Sequence, residues 1–270
     1  NLQYLNDFEG RWFDSTSDES TMLPRPYARR IEQTQLVCYV IDPSSPDRVK
    51  YDIFTRLNTG GKTLNAQEIR NCLASRSARG FLKKLARSEE FLKATHGSIS
   101  SVRMADQELV LRFVAFYIRD HDMHFLRDND SGISGKGSIP KMGELLDRAS
   151  SLLNIATSEE FQRIGDAFRR SMSNSFRIFG DAAFRRDWDQ RIVNKALFLA
   201  ISRQLCDIGT DRFDDEYSNE RVRSLLSEKL QDNDTNNNFY RSISWATNNP
   251  SSIGIAFNAI KEILGEVYSD

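Results

Sequence analysis

Two adjacent glycines, Gly60 and Gly61, stand between two runs written in helical period and force a corner on the chain. Glycine reaches the left-handed conformation that ends a helix without a Cβ clash. Residues 48–57 and 65–75 therefore read as two helices meeting at a turn. Asn65 followed by Glu68 has the form of a capping box at the start of the second. Along that helix Gln67, Arg70 and Asn71 share one face, while Ile69, Cys72 and Leu73 point the other way, toward a core. A solvated face is usually written with Lys and Glu. Two amides and an arginine beside glycines read instead as fixed hydrogen bonds to a ligand, and the free N–H groups at the helix start suit an anion or phosphate. The competing reading is a helix corner whose polar residues satisfy buried carbonyls. Residue types alone leave both open.

The rest of the chain reads as one β element and then helices, so the fold class is mostly α. Residues 33–41, rich in branched and aromatic side chains, predict a strand that ends at Asp42-Pro43. Short helices follow at 79–86 and 88–94. Residues 105–120 are strongly helical, with Leu109, Phe113, Phe116 and Tyr117 at helical spacing. A loop rich in Gly, Ser and Asp spans 129–138, and further helices are predicted over 139–154, 158–179, 191–206, 218–230, 236–247 and 250–268. Thr157 with Glu160 forms a second capping box, and Pro250 suits a first helical turn.

Charge is balanced overall, at −1, but unevenly spread. Between residues 48 and 93 eleven Lys/Arg face four Asp/Glu; between 207 and 234 nine acids face four bases. A basic side for DNA or nucleotide is consistent with this asymmetry. The segment 161–191 interleaves arginines, among them Arg169, Arg170, Arg185 and Arg186, with Phe168, Phe176, Phe179, Phe184 and Trp188. Arginine beside aromatic rings suits backbone contact and base stacking; at helical spacing the same rings also suit a core. His121 and His124 carry metal-ligand chemistry at i and i+3, but three histidines in all and no cysteine cluster favour a helix terminus over a metal site.

Cys38, Cys72 and Cys206 are too few and too scattered for a disulfide framework or a zinc site. Cys38 in an apolar strand and Cys72 on an apolar helix side read as buried thiols in a reducing cytoplasm. No apolar run reaches membrane-spanning length, and no P-loop is present.

Phe54-Thr-Arg56-Leu-Asn58, then Thr59-Gly60-Gly61 and Leu64-Asn-Ala-Gln67-Glu-Ile-Arg70-Asn71, resembles the Phe-x-x-x-Asn region of a prokaryotic family. That family is the N-terminal domain type of the GmrSD restriction endonucleases, a ParB/sulfiredoxin-like domain. Residues 106–116, and Phe184-Arg-Arg with Asn194-Lys-Ala-Leu-Phe198, extend the similarity over about residues 34–203. The resemblance implies a remnant of a ParB-like α/β domain over residues 1–100, then an α-helical domain over 101–270. It also implies part of a nucleotide-dependent, DNA-directed defence protein that uses a nucleoside triphosphate with Mg2+. Asn58 would act catalytically beside the nucleotide. Phe54, Arg56, Gly60, Gly61, Gln67, Arg70 and Asn71 would line the phosphate side, and Arg169, Arg170, Arg185 and Arg186 would meet DNA. The family's upstream Gln-Arg and Asp-Gly-Gln-Gln-Arg motifs are not in this sequence, so the resemblance implies a piece lacking the first half of that domain and its principal catalytic residues. The His-Asn-His nuclease domain of larger relatives is also not in it, and a partner subunit is a further expected contact. The rival functions are a non-catalytic helical adaptor and a DNA-binding module without hydrolysis.

Overall fold

The computed structural model describes residues 8–13, 21–38, 40–42, 44–46, 49–50, 52–53, 56, 63–121, 139–231 and 237–268. Phe54, Asn58, Gly60, Gly61 and His124, together with the 129–138 loop, lie outside the described residues. The chain divides into two compact units, Asn1–Pro46 and Asp47–Asp270.

The described residues of the first unit include helix α1 (Arg25–Glu32), entered through Pro24 and Pro26. Its Tyr27 ring lies 4.5 Å from that of Phe8. A single bridge pairs Trp12 with Met22. The predicted strand at 33–41 does not form: its described residues have no regular secondary structure. A strand needs a neighbour to satisfy its ladder, and no strand exists among the described residues. Cys38 is accordingly exposed, not buried.

The regular secondary structure among the described residues of the second unit is helical. In order it contains α2 (Ala66–Leu73), α3 (Arg76–Ala86), α4 (Glu89–Ala94), α5 (Ala105–Asp120), α6 (Met142–Leu153), α7 (Ser158–Phe179), α8 (Lys195–Leu205), α9 (Glu216–Gln231), α10 (Asn238–Ser244) and α11 (Pro250–Tyr268). Residues 49, 50, 52, 53 and 56 are also helical, as the sequence predicts for 48–57.

The arrangement follows from α5. Every residue from Leu109 to Ile118 is buried, so this helix is apolar on all sides and has to be surrounded. Its neighbours are α3, α6, α7 and α8. The one charge in that run, Arg112, is bonded to Glu108 at 2.8 Å and to the Asn248 amide oxygen at 2.8 Å. The longest partner, α7, starts at the predicted capping box: Thr157 accepts from the Glu160 N–H, and Glu160 accepts from the Thr157 N–H at 2.7 Å. It stops at Gly180, whose φ of 54° is open to glycine without strain. One apolar core runs from Ala74 to Leu264. Helices on both sides of residue 100 share that core.

Small shifts of helix ends have local causes. The helix predicted from 191 starts at Lys195 because Asn194 caps it, accepting from the Ala196 and Leu197 N–H groups. The one predicted from 139 begins at Met142, beyond Pro140.

Candidate functional site

The amide-and-arginine edge of α2 faces inward, but its anion belongs to the protein. Gln67 and Arg70 are buried at 2% and 8% exposure. Arg70 Nε donates to Asp147 of α6 at 2.7 Å, and Nη2 reaches the Gly143 carbonyl at 3.5 Å. The buried stripe is Gln67, Ile69, Arg70 and Ala74; Cys72 is exposed and Leu73 and Asn71 are half-buried. The helix is thus rolled relative to the expected packing, because the carboxylate of α6 draws the guanidinium inward.

The helix start is equally self-contained. Asn65 and Glu68 complete the capping box, and the Glu68 carboxylate pairs with Arg103 at 2.8 Å. The Asn65 amide donates to the Arg103 carbonyl at 2.9 Å, at a kink where Arg103 and Met104 take φ of 57° and 61°. The negative charge favoured by this helix N-terminus is Glu68's own. These contacts match the helix-corner reading for Arg70, whereas the buried Gln67 amide oxygen meets no donor among the described residues. Arg56 is exposed.

The arginines of 161–191 divide among separate duties. Arg169 pairs with Asp166 at 2.6 Å on the outer side of α7. Arg170 Nε donates to the Cys206 carbonyl at 2.7 Å, closing the end of α8. Arg185 is 6% exposed, and its Nε and Nη2 meet no acceptor among the described residues. It lies inside the fold and cannot touch DNA from there. Most of the interleaved rings are core: Phe168 and Phe184 are fully buried and Phe179 nearly so, while Phe176 and Trp188 keep an exposed edge.

Arg186 and Trp188 do meet in one place. They line a groove of about 960 Å³ with Asp187, Asp189, Gln190 and Lys195 on one wall. Ser227 and Gln231 of α9 and Tyr240 and Ser244 of α10 form the other. Its volume is near the top of the roughly 300–1,000 Å³ range of small-ligand sites. Asn194 builds the wall: its amide donates to the Ile243 carbonyl at 2.8 Å, and its own N–H donates to the Phe184 carbonyl at 2.8 Å. Phe184 takes φ of 65°, strained for a bulky residue, and is held there by burial and by the Phe198 ring 4.8 Å away. That turn delivers Arg186 to the groove, where Nη1 donates to Ser244 at 2.9 Å and the guanidinium lies 6.0 Å from the Tyr240 ring centre.

Lys195 is 3.4 Å from Glu108. Burial alone would raise the Glu108 carboxyl, but Arg112 and then Lys195 outweigh it and hold it below its ordinary value. The groove therefore presents two cations, two acids, two rings and several amides and hydroxyls. Sequence reading found Arg186 and Trp188 but missed Tyr240, Ser244 and Gln231, which lie far along the chain. Only the pair of asparagine caps, Asn194 and Asn237, hinted at where those helices begin.

No protein-family model, curated protein or solved structure matches this chain.

A second polar cluster is structural. His121 Nδ1 is 2.9 Å from the Tyr117 carbonyl, and Nε2 is 2.9 Å from Asp207. Arg203 joins Asp207 to Asp120, at 3.1 Å and 2.7 Å. Burial would raise the Asp207 carboxyl, but the bond and charge of His121, followed by Arg203, hold it down at about 2. Beside it, burial pushes the Cys206 thiol up to about 12, so it is no nucleophile at neutral pH. No group of three or more His, Cys, Asp or Glu suited to a metal exists among the described residues.

A carboxyl depressed by folding stabilises the fold above its unfolded value and loses that contribution as pH falls through its folded value. For Asp207 the loss runs from near its ordinary value of 3.8 down to about 2. The side chain is about half exposed, so the contribution at neutral pH is discounted to about 1 kcal/mol. Urea unfolding should show wild type ahead of Asp207→Asn at neutral pH, with the gap closing in that acid window. A gap independent of pH would show that the carboxylate charge is not responsible.

Proposed function

We propose that this chain is the helical part of a nucleotide-dependent, DNA-directed prokaryotic defence protein of the restriction type, and that its groove holds a strand of nucleic acid. The supporting observation is convergence: Phe184-Arg-Arg and Asn194-Lys, two of the short motifs behind the family resemblance, build the same groove wall. A guanidinium, an ammonium and two aromatic rings open there together, the combination that binds single strands through backbone charge and base stacking. The ParB-like remnant over 1–100 and the helical domain over 101–270 belong to this same reading, as does the cytoplasmic setting. No helix among the described residues is long and apolar enough to cross a membrane.

The described residues do not fit a triphosphate site, since Arg70 is already neutralised by Asp147. No hydrolytic step is drawn through them. The family's nucleotide chemistry would rest with Asn58, Gly60 and Gly61 and with the upstream Gln-Arg and Asp-Gly-Gln-Gln-Arg motifs of that family.

The test is fluorescence anisotropy with an end-labelled single-stranded thymidine oligonucleotide and a duplex of equal length. The single strand should bind more tightly. Trp188→Ala should weaken it by about 5- to 150-fold, the value of one stacked base. Arg186→Ala should flatten the salt dependence. Equal affinity in wild type and both variants would overturn the groove as the site. Asp187 and Asp189 support the adaptor reading, because they cancel the two cations and suit a peptide. Absence of oligonucleotide binding would favour it.

A further inference from the structure

The outer side of α3 collects positive charge that the fold does not use. Arg76, Arg79, Lys83, Lys84 and Arg87 are all exposed. At 3.6 residues per turn they fall within one arc of about 140°. The opposite side, Ala78, Leu82, Leu85 and Ala86, is buried where α3 packs on α5 and α7. No acid occurs from Arg76 to Ser88. None of the five side chains has a hydrogen-bond or ion-pair partner among the described residues. By contrast Arg70, Arg103, Arg112, Arg177, Arg203 and Arg223 each meet a carboxylate. Helix polarity accounts for Lys83 and Lys84, which stand in the last turn where cations are favoured. It opposes Arg76 and Arg79, which lie toward the positive end of a helix whose first turn has no acid. Arg79, Lys83 and Arg87, spaced four apart, also repel one another.

We propose that this basic arc of α3 is a contact for the phosphate backbone of double-stranded DNA. The contact rests on the DNA-directed reading above but uses no residue of the groove. Five uncompensated cations in a row fit a polyanion, and guanidinium forks match phosphate oxygens. The arc carries no aromatic ring, so a single strand gains nothing there from stacking. Charge is all that it offers, and a duplex is a dense line of charge, about one per 1.7 Å of axis. A helix that lies on a bilayer inserts an apolar side; the apolar side of α3 is already spent in the core. Gly80 lies inside the arc, and a Cβ there would meet nothing within 4 Å. The surface is therefore bare between Arg76, Lys83 and Lys84, where a phosphate can approach the helix. No Asn or Gln stands on the arc to read a base edge, so the contact is independent of sequence.

The test is anisotropy of an end-labelled duplex of mixed sequence with the full chain, across a series of salt concentrations. With all five cations on phosphates, log K should fall against log salt with a slope of about −4.5. Arg79→Gln with Lys83→Gln should make that slope shallower by about 2 and weaken binding on the order of 100-fold at about 50 mM salt. Both residues are exposed, so the helical circular dichroism should stay unchanged, which separates lost contact from lost folding. Lys261→Gln, an exposed charge on α11, should alter neither slope nor affinity. No duplex binding by the wild type at low salt, or an undiminished slope in the double variant, would overturn the proposal. So would a loss per charge as large in Lys261→Gln, which would mean diffuse attraction. Binding to phosphatidylserine vesicles without binding to the duplex would overturn it in favour of a membrane. The single-strand affinity of Trp188→Ala decides the groove separately and does not enter this measurement.

Discussion

Phe168→Ala is expected to lower the free energy of unfolding by about 3–5 kcal/mol, the usual cost of removing a fully buried ring. Phe168 sits where three helices meet. Its ring lies 5.8 Å from Phe91 of α4 and 5.1 Å from Phe113 of α5, the latter edge-on. Residues on α4 and α5 that close the space are themselves fully buried, so the hole has little freedom to collapse. Urea denaturation followed by far-ultraviolet circular dichroism measures the effect. An unchanged slope with a lower midpoint would mean lost packing; a loss below about 1 kcal/mol would mean that the three helices are not locked through this ring.

Asn174→Ala should cost about 2–3 kcal/mol, for a different reason. The end of α8 leaves carbonyls without intrahelical partners. The buried Asn174 amide of α7 donates to two carbonyls there, Leu205 at 3.0 Å and Ile208 at 2.9 Å. Alanine strands both acceptors away from water. The Asn174 amide oxygen itself has no partner among the described residues, and losing it recovers part of the penalty. Asn174→Asp is the sharper comparison. It keeps the shape, removes the donor and sets a carboxylate against two carbonyls, so it should destabilise more than alanine. If alanine were the worse of the two, volume and not hydrogen bonding would be the cause.

The helices were legible because their signals are local. Thr157 and Glu160, three residues apart, start α7 where the sequence predicts, and the period of Leu109, Phe113, Phe116 and Tyr117 marks α5. What periodicity could not supply was the direction of each face. On α2 the apolar side was expected to pack, with Cys72 inside, but Asp147, seventy-seven residues from Arg70, turns the polar stripe inward. A long-range ion pair of this kind has no local signature. The strand at 33–41 failed for a related reason: β propensity reports what a segment does beside a partner, and none lies among the described residues. The groove was half visible. Arg186 and Trp188 stood out in an arginine–aromatic segment, but only three-dimensional placement separates them from Arg170, bonded to the Cys206 carbonyl, and from Arg185, buried in the fold, which have the same composition around them.

The encirclement of α5 limits how this protein can be shortened. Removing everything before residue 101 would strip α3 from a helix that has no polar side to offer in exchange. A trimmed version that begins at the linker after α4 would expose a strip of Leu, Val and Phe and would clump in solution. The smallest durable piece has to carry the residues from α2 onward.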